Sequence, residues 1–345
     1  MPISPSVREK IALTLGDLCG IGPEVTVKSL FRLKKNKEAD FLVLGKAFFL
    51  NKLAKKLSLN IRFKDIFRLS EWPAGLSFVP CYFFEDLPNR VVYGRFDKRL
   101  GALAVRSIEL AARLAMSGEV DCIVTAPINK SSVRKAGFDI PGHTEYLAEL
   151  SKTGRYEMML VGGNLRVVPV TRHLALKDVP KSISRRGVEA AILMADRELR
   201  RSFGIRKPKI VVCGLNPHAG EQGNFGREEI EVIAPAVKAA RMKTDAKIIG
   251  PLSPDALFVR AYRGDYDAEV CMYHDQGLIP LKMISRGAGV NVTLGLPFVR
   301  TSPDHGTAYD IAGKWTADPG SMIEAIKLAV FISKNRKKFD RNQRA

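Results

Sequence analysis

The sequence predicts an α/β protein with a largely parallel sheet. Short apolar runs alternate with segments in which apolar residues recur at three- and four-residue spacing, and the 345 residues suffice for two domains. Alternation of this kind is typical of parallel strands joined by helices. The runs that predict strands are 10–15, 41–44, 77–83, 122–125, 158–161, 209–213, 248–251, 270–273 and 290–293.

Three of the intervening segments carry the clearest helical patterns. Segments 100–116 and 188–199 have apolar residues at helical spacing, and segment 228–240 opens with acidic residues, which suit a helix N-terminus. We find no internal repeat and no low-complexity linker. Because no composition change marks a single boundary, a chain that leaves one domain and later returns to it remains an option.

The composition predicts a cytoplasmic globular protein. Hydrophobic residues make up 46% of the chain and charged residues 26%, a balance that supports a large core. No run of about 18 apolar residues occurs, and the N-terminal apolar segment is too short for a signal peptide. The cysteines are odd in number and lack C-x-x-C spacing, so we expect reduced, mostly buried thiols at Cys19, Cys81, Cys122, Cys213 and Cys271.

A strong excess of positive charge favours anionic partners. Lysine and arginine total 55 against 36 acidic residues, which gives a net charge of +19. The basic clusters at 32–37, 206–209 and 334–344 contain no interleaved aromatic residues and no nucleic-acid-binding motif. Small phosphorylated substrates and dinucleotides are anionic partners that fit this charge, and a basic solvated surface is the plain alternative. We expect neither a nucleic acid nor a membrane as partner. A nucleic-acid-binding protein without catalysis is the remote alternative.

All five histidines lie in loops after predicted strands, in the segments PGHTEY, VTRHLA, LNPHAGE, MYHDQG and SPDHGTA. Side chains at the carboxyl ends of strands in an open α/β sheet can converge on a ligand. His173, His218 and His274 are the best metal candidates, although their spacing alone does not require a shared site. Three imidazoles suit Zn²⁺ or another divalent transition ion better than Mg²⁺.

Further polar residues follow other strands. Lys282, Asn291 and Arg300 could clamp a phosphate or carboxylate group, or they could be solvated surface residues. Asp255 and Asp275 are candidate general bases, with helix capping as the alternative for Asp255. The glycine-rich segment 16–24 is either a ligand-binding turn or a plain tight turn, because it lacks the G-x-G-x-x-G pattern.

Long motifs along the whole chain resemble the 4-hydroxythreonine-4-phosphate dehydrogenase family of vitamin B6 biosynthesis. They include LTLGDLCGIGPEV, VTAPINKSSV, GFDIPGHTEYLAEL, GLNPHAGEQGNFGREEI, MYHDQGLIPLKM and GVNVTLGLPFVRTSPDHGTAYDIAGK. The resemblance implies oxidation of 4-phosphooxy-L-threonine by NAD or NADP to a β-keto acid, which loses CO₂ to give 3-amino-2-oxopropyl phosphate. It also implies a divalent metal (Zn, Co or Mg) and a homodimer with the active site at the subunit interface.

The same resemblance implies roles for particular residues. His173, His218 and His274 match metal ligands shared between dimer partners, and the matches to substrate contacts are His143, Thr144, Lys282, Asn291 and Arg300. Leu18 and Cys19 stand where the family usually has proline and a small residue, which leaves substrate choice open. A paralogue for another phosphorylated hydroxy acid, such as D-erythronate 4-phosphate, is the main alternative, and a metal-dependent phosphatase is another.

A wider similarity to isocitrate and isopropylmalate dehydrogenases implies two α/β/α domains with an interdomain active-site cleft. Residues 1–128 plus 303–345 would form the first domain, on the dinucleotide side. Residues 129–302 would form the second, on the metal, substrate and dimerisation side. By this similarity the residues that flank the dinucleotide are His305, Gly306, Thr307, Ala308 and Asp310.

Overall fold

The structure, a computed structural model, describes residues 8–72, 77–83, 87–88 and 90–344. It confirms the α/β prediction. The strands in these residues are β1 Glu9–Thr14, β2 Ala39–Leu44, β3 Phe63–Asp65, β4 Val79–Cys81, β5 Cys122–Thr125, β6 Glu157–Gly162, β7 Leu165–Pro169, β8 Lys209–Cys213, β9 Lys247–Leu252, β10 Ala268–Cys271, β11 Val290–Leu294 and β12 Val299–Pro303. Strands β3, β7 and β12 were not predicted, and only Val79–Cys81 of the predicted run 77–83 is a strand.

Helices connect most of the strands. They are α1 Gly22–Arg32, α2 Ala47–Lys56, α3 Lys98–Met116, α4 Lys130–Lys135, α5 His143–Leu150, α6 Val179–Ser182, α7 Arg185–Phe203, α8 Ala234–Arg241, α9 Pro254–Tyr262, α10 His274–Ser285 and α11 Gly320–Arg344. The predicted helix at 228–240 begins with a π-helical turn, Glu229–Ile233, before α8. Among the described residues, no helix combines the length and the apolar character needed to cross a bilayer.

Capping side chains explain where several helices begin. The carboxylate of Asp97 accepts a hydrogen bond from the Arg99 amide at the start of α3. Ser184 accepts from the Gly187 amide at the start of α7, which ends at Gly204 in the left-handed conformation (φ 72°). These are the side-chain N-caps and glycine C-cap that satisfy free backbone groups at helix ends.

Two compact units make up the chain, and both are discontinuous in sequence. Met1–Gly154 with Leu296–Lys334 form the first, and Arg155–Gly295 with Asn335–Ala345 form the second. These units divide after Gly154 and Gly295, whereas the sequence predicts domain boundaries at 128/129 and 302/303. The predicted domain assignment stays a prediction.

The first unit contains six parallel strands in the order β3-β4-β2-β1-β5-β12. Its central strands β1 and β5 are largely buried, and α3 packs against both. Ile11, Leu13, Leu42 and Ile123 are completely buried. This burial on both faces is typical of a parallel sheet between helices.

The second unit has the strand order β11-β6-β7-β10-β8-β9. Strand β6 pairs antiparallel with both β11 and β7, whereas β7, β10, β8 and β9 are parallel. The sheet is therefore mixed here, which the expectation of a largely parallel sheet did not anticipate. Its core includes Leu160, Leu165, Val211, Leu278 and Leu281.

All five cysteines are buried and none forms a disulfide, in agreement with the expectation from their spacing.

Candidate active site

The three histidines predicted to bind a metal follow three neighbouring parallel strands of the second unit. Strand β10 pairs with β7 on one side and with β8 on the other. His173 lies after β7, His218 lies after β8, and His274 opens α10 directly after β10. The carboxyl ends of neighbouring parallel strands lie at one edge of the sheet, where α/β proteins bind ligands. The fold therefore brings the three loops to the same edge.

His173 and His274 are close neighbours. Their ring centroids are 5.8 Å apart and their planes are inclined by 44°. Nδ1 of His274 lies 2.6 Å from a carboxylate oxygen of Asp275, which leaves Nε2 of the same ring available to a ligand. A carboxylate on the second ring nitrogen is the common support for a metal-binding histidine. Asp275, predicted as a general base, thus holds the His274 ring.

His218 lies on a strained turn. Residues 218–222 all have positive φ, from 41° at Glu221 to 79° at Gly220. Left-handed backbone costs roughly 1–2 kcal/mol for each non-glycine residue, so the turn needs outside support. Glu229 supplies it, since one of its buried carboxylate oxygens accepts hydrogen bonds of 2.7 Å from the amides of Leu215 and Asn216.

No three His, Cys, Asp or Glu side chains in the described part of one chain are arranged to hold a metal ion. His218 therefore does not complete a three-histidine group with His173 and His274 within a single chain. The donor set still fits a divalent transition ion, because it contains two adjacent imidazoles, one of them carboxylate-supported. The third imidazole follows the neighbouring strand.

Asp255 begins α9 and is exposed. The Ser253 hydroxyl donates a 2.5 Å hydrogen bond to its carboxylate. This bond, helped by the Ala256 amide and by the nearby His218 ring, lowers the pKa of Asp255 below its ordinary value. The side chain is therefore an ionised acceptor at neutral pH, close to the His218 turn.

In the first unit, Arg300 on β12 is only 2% exposed. Its Nε and Nη2 donate to the Thr125 hydroxyl at 3.1 and 2.8 Å. Burial lowers the pKa of Arg300 to about 10, an effect that Glu145 opposes, so the guanidinium remains charged at neutral pH. A buried, oriented cation of this kind is suited to a carboxylate or phosphate group.

His143 and Thr144, which start α5, complete the predicted substrate residues of the first unit. Nε2 of His143 is buried and has no hydrogen-bond partner among the described residues. Burial of the ring, and then the positive charge of Arg300, holds the pKa of His143 well below its ordinary value. The imidazole is therefore neutral and its unpaired nitrogen is available to a ligand.

The other two predicted substrate residues belong to the second unit. Lys282 is exposed on α10. Asn291 lies on β11, and its buried Oδ1 lacks a hydrogen-bond partner within the described ranges. An unpaired buried amide oxygen costs free energy that a bound ligand could recover.

The loop that carries the residues predicted to flank the dinucleotide (His305, Gly306, Thr307, Ala308 and Asp310) contacts the glycine-rich first turn of the same unit through Thr307 and Tyr309. The Ile21 amide donates to the Thr307 carbonyl at 3.0 Å, and a Cβ at Gly20 would lie 2.7 Å from that oxygen. The Tyr309 hydroxyl donates to Asp17. The close approach of the Thr307 carbonyl explains why glycine occupies position 20. The turn therefore holds the loop around Thr307 in addition to reversing the chain.

His305 provides a test of whether this loop fits a nucleotide. Its Nδ1 is 2.9 Å from the Gly306 carbonyl oxygen, whereas Nε2 is buried without a partner in the described part of the chain. A Cβ at Gly306 would meet no atom within 4 Å. An unsatisfied ring nitrogen beside open space is consistent with a polar ligand at this loop.

Sequence reasoning did not identify Asp17, Glu229 or Tyr309 as functional. All three lie inside motifs that mark the family resemblance, so a signal was present. Glu229 was interpreted as an acidic residue at a helix start. Its role depends on contacts with residues 13 and 14 positions earlier, which no local pattern discloses.

The comparisons with known proteins show the family of the chain. The family model described as "Pyridoxal phosphate biosynthetic protein PdxA" matches residues 37–329. A 4-hydroxythreonine-4-phosphate dehydrogenase of Sulfurihydrogenibium sp. is 43% identical over 95% of this chain and 99% of its own. A D-threonate 4-phosphate dehydrogenase of Pectobacterium atrosepticum is also 43% identical, over 94% of this chain and 99% of its own.

Solved structures of 4-hydroxythreonine-4-phosphate dehydrogenases also resemble this chain over nearly its whole length. The crystal structure of 4-hydroxythreonine-4-phosphate dehydrogenase from Klebsiella pneumoniae has a TM-score of 0.85 and 41% identity, covering 96% of this chain and 99% of its own. The fold and the candidate site thus define an α/β oxidoreductase of dehydrogenase type. The chain belongs to the PdxA family, that of the pyridoxal phosphate biosynthetic protein.

Proposed function

We propose that this protein is a divalent-metal-dependent dehydrogenase that oxidises 4-phosphooxy-L-threonine with NAD or NADP in pyridoxal phosphate biosynthesis. The observation that carries the proposal is that the loops of His173, His218 and His274 follow three neighbouring parallel strands, with the His173 and His274 rings 5.8 Å apart. Close similarity over nearly the whole chain to enzymes named for this reaction supports it.

The three histidines would hold the cation, which is Zn, Co or Mg, with Asp275 orienting His274. When bound, such a cation supplies charge that lowers the pKa of a substrate alcohol, and the nicotinamide supplies the hydride acceptor. Asp255, kept ionised by Ser253, would accept the alcohol proton, with Asp275 as the other candidate base.

The polar residues described above would orient the substrate and the dinucleotide. Arg300 presents a buried positive charge, and His143 offers a neutral ring nitrogen. We assign these two residues, with Thr144, Lys282 and Asn291, to the substrate phosphate and carboxylate groups. Losing one charged contact to a desolvated phosphate should weaken binding by about 2–5 kcal/mol. The loop residues His305, Gly306, Thr307, Ala308 and Asp310 would contact the dinucleotide.

A homodimer would complete the metal site. Large apolar side chains are exposed in the second unit, on the His173 loop and on helices α9 and α10, namely Leu174, Leu176, Val259, Tyr262, Ile279 and Met283. Met283 is 74% exposed and Leu176 69%. Large apolar side chains left in contact with water favour a partner surface that covers them. We propose that a second copy covers them and that the partner's histidines complete the cation site.

A second candidate substrate is the phosphate ester of a hydroxy acid without an amino group. The observation that favours it is the equal identity, 43%, to the relative named D-threonate 4-phosphate dehydrogenase. We would compare 4-phosphooxy-L-threonine, D-threonate 4-phosphate and D-erythronate 4-phosphate at equal concentration. We expect the highest kcat/KM with 4-phosphooxy-L-threonine. A higher kcat/KM with D-threonate 4-phosphate or D-erythronate 4-phosphate would identify that compound as the substrate instead.

Chelation tests the metal assignment. NADH formation, followed by absorbance, should stop when the cation is removed and return when Zn²⁺ or Co²⁺ is added. The His218→Ala variant should lose bound metal, whereas His143→Ala should retain it and show a raised KM instead. Unchanged turnover in metal-free protein, or equal metal content in the two variants, would contradict the proposal.

A further inference from the structure

A cavity lies at the amino ends of strands β1 to β4 in the first unit, away from the turn that follows β1. It encloses about 700 Å³ and is lined by residues at the amino ends of β1, β2, β3 and β4. The turn that packs against the predicted dinucleotide loop follows the carboxyl end of β1. Strand β1 has six residues, which at about 3.3 Å per residue separate the two ends by roughly 17 Å. The cavity is therefore distinct from the predicted dinucleotide loop, and none of its lining residues belongs to the candidate active site.

The cavity has an aromatic component. Trp72, which is 5% exposed, and Phe78 line it together with Ile61. Two cations outside the lining lie near these rings, with Lys10 Nζ 5.4 Å from the Trp72 ring and Lys64 Nζ 5.4 Å from the Phe78 ring. Its volume lies within the range of about 300–1,000 Å³ usual for small-molecule sites.

Cationic side chains from three segments of the chain line the same cavity as Trp72 and Phe78. Lys34, Lys35 and Lys37 come from the loop after α1, Arg8 precedes β1, and Arg62 precedes β3. The positive charges of the three lysines interact favourably with the negative C-terminal end of the α1 dipole. The helix dipole does not explain Arg8 and Arg62, which lie before β1 and β3. Within the described residues, Lys35, Lys37 and Arg62 form no ion pair.

Arg8 is held in place before any ligand binds. Its Nη2 donates to the carbonyl oxygens of Asn36 and Ala39 at 2.9 and 2.8 Å, and its Nε lies 3.2 Å from Asp40. Asp40 is the only acid among the lining residues in the described part of the chain. Like charges clustered with so little compensation repel each other, and an anion would relieve the repulsion.

We propose that this cavity binds a small molecule in which a phosphate group is attached to a flat heteroaromatic ring. The phosphate would lie among Lys34, Lys37 and Arg62, and the ring against Trp72 and Phe78. A nucleoside monophosphate and a phosphorylated pyridine both have this chemistry. The binding is independent of the dehydrogenase assignment, because no residue of the candidate active site takes part.

Calorimetric titration of the full chain, with saturating NAD⁺ to fill the dinucleotide site, tests the proposal. The probes are pyridoxine 5′-phosphate, which lacks the lysine-reactive aldehyde, AMP and inorganic phosphate. We expect saturable binding of at least one ring-bearing phosphate, at least tenfold tighter than that of inorganic phosphate. Tighter binding of AMP would identify the ligand as a nucleoside monophosphate, and tighter binding of pyridoxine 5′-phosphate would identify it as a phosphorylated pyridine. Absence of saturable binding, or equal affinity for inorganic phosphate, would overturn the proposal.

A pair of charge-reversal variants shows where the probe binds. Lys37→Glu combined with Arg62→Glu should weaken binding at least tenfold and leave KM for substrate and dinucleotide unchanged. Arg185→Glu combined with Arg186→Glu makes the same change in net charge at the exposed start of α7 and should leave binding unchanged. Equal weakening in both variants would mean that overall charge, rather than this cavity, attracts the probe.

Discussion

Arg300 directs two of its nitrogens, at 3.1 and 2.8 Å, to a single acceptor, the hydroxyl of Thr125. Both residues are buried, on the neighbouring parallel strands β12 and β5. Because a buried guanidinium is costly when its donors lack acceptors, Thr125 fixes both the orientation of the cation and part of its stability. The strand pairing thus positions the charge that we assign to substrate recognition.

Replacing Thr125 with valine preserves side-chain shape and removes the acceptor. We expect the free energy of unfolding to fall by about 1–3 kcal/mol, the usual cost of an unsatisfied buried polar group. The KM for the phosphorylated substrate should also rise, since Arg300 loses an acceptor that orients its guanidinium. Urea unfolding and steady-state kinetics measure the two effects.

Thr301→Val is the matched control. Thr301 is also buried on β12, but its hydroxyl donates to the Ala325 carbonyl at 2.8 Å and does not contact Arg300. This variant should lose stability without a change in KM. If the two valine variants behave alike in the kinetic assay, Thr125 does not position Arg300 for binding.

Asp275→Asn tests the support of His274. An amide cannot supply the negative charge that holds Nδ1–H of the ring, so metal affinity should fall about 10- to 100-fold. Competition with a chromophoric chelator measures the affinity. Asp265→Asn, at an exposed ion pair with Arg260, should leave it unchanged. Equal affinities in the wild-type protein and both variants would remove Asp275 from the metal site.

Local sequence was informative about where chemistry lies but not about how it is supported. Strand ends and loop histidines follow from apolar runs and turn residues, so the loops of His173, His218 and His274 could be located. The left-handed turn at 218–222 could not be predicted, because its cost is met by Glu229 through tertiary hydrogen bonds. The Arg300–Thr125 pair joins residues 175 positions apart and likewise leaves no local pattern.

The missed strands have similar causes. Strand β3 has only three residues, too few for a pattern to emerge, and it is positioned by pairing with β4. Strand β7 follows β6 through a tight turn in which Gly163 has a φ of 56°. The pair is antiparallel, and the expectation of parallel strands joined by helices did not provide for a hairpin.

Tyr309→Phe tests the contact between the first turn and the predicted dinucleotide loop. The Tyr309 hydroxyl donates to Asp17, whose pKa is raised above its ordinary value by burial although this hydrogen bond opposes the rise. Without the hydroxyl, Asp17 loses a partner and the loop loses a tether. We expect KM for NAD or NADP to rise several-fold, with a smaller change in kcat.

Tyr266→Phe provides the comparison. The Tyr266 hydroxyl is buried without a hydrogen-bond partner among the described residues, so its removal should maintain or raise the stability and leave KM unchanged. Dinucleotide KM values from initial-rate kinetics at saturating substrate distinguish the variants. A Tyr309→Phe enzyme with wild-type KM would show that the tether does not influence cofactor binding.

Glu269 should make stability depend on pH. It lies fully buried on β10, and burial raises its pKa to about 8, although the Arg166 amide, which donates to it at 2.9 Å, opposes the rise. Between the ordinary value of 4.5 and pH 8, the unfolded chain releases this proton before the folded chain does. The contribution of Glu269 to the free energy of unfolding should therefore fall as pH rises, by at most about 1.4 kcal/mol per pH unit.

Glu269→Gln keeps an oxygen that accepts from the Arg166 amide and removes the titration. The variant should gain stability relative to wild type as pH rises from 5 toward 8, and the difference should level off above pH 8 because both states are then ionised in the wild-type protein. Urea unfolding at intervals of one pH unit measures the difference. Titration of His143, whose pKa is lowered by burial, also makes stability depend on pH, but this contribution is the same in both proteins and drops out of the difference. Glu324→Gln, at an exposed carboxylate on α11, should give no pH-dependent difference. A stability difference for Glu269→Gln that stays constant across this range would show that the buried carboxyl group does not titrate there.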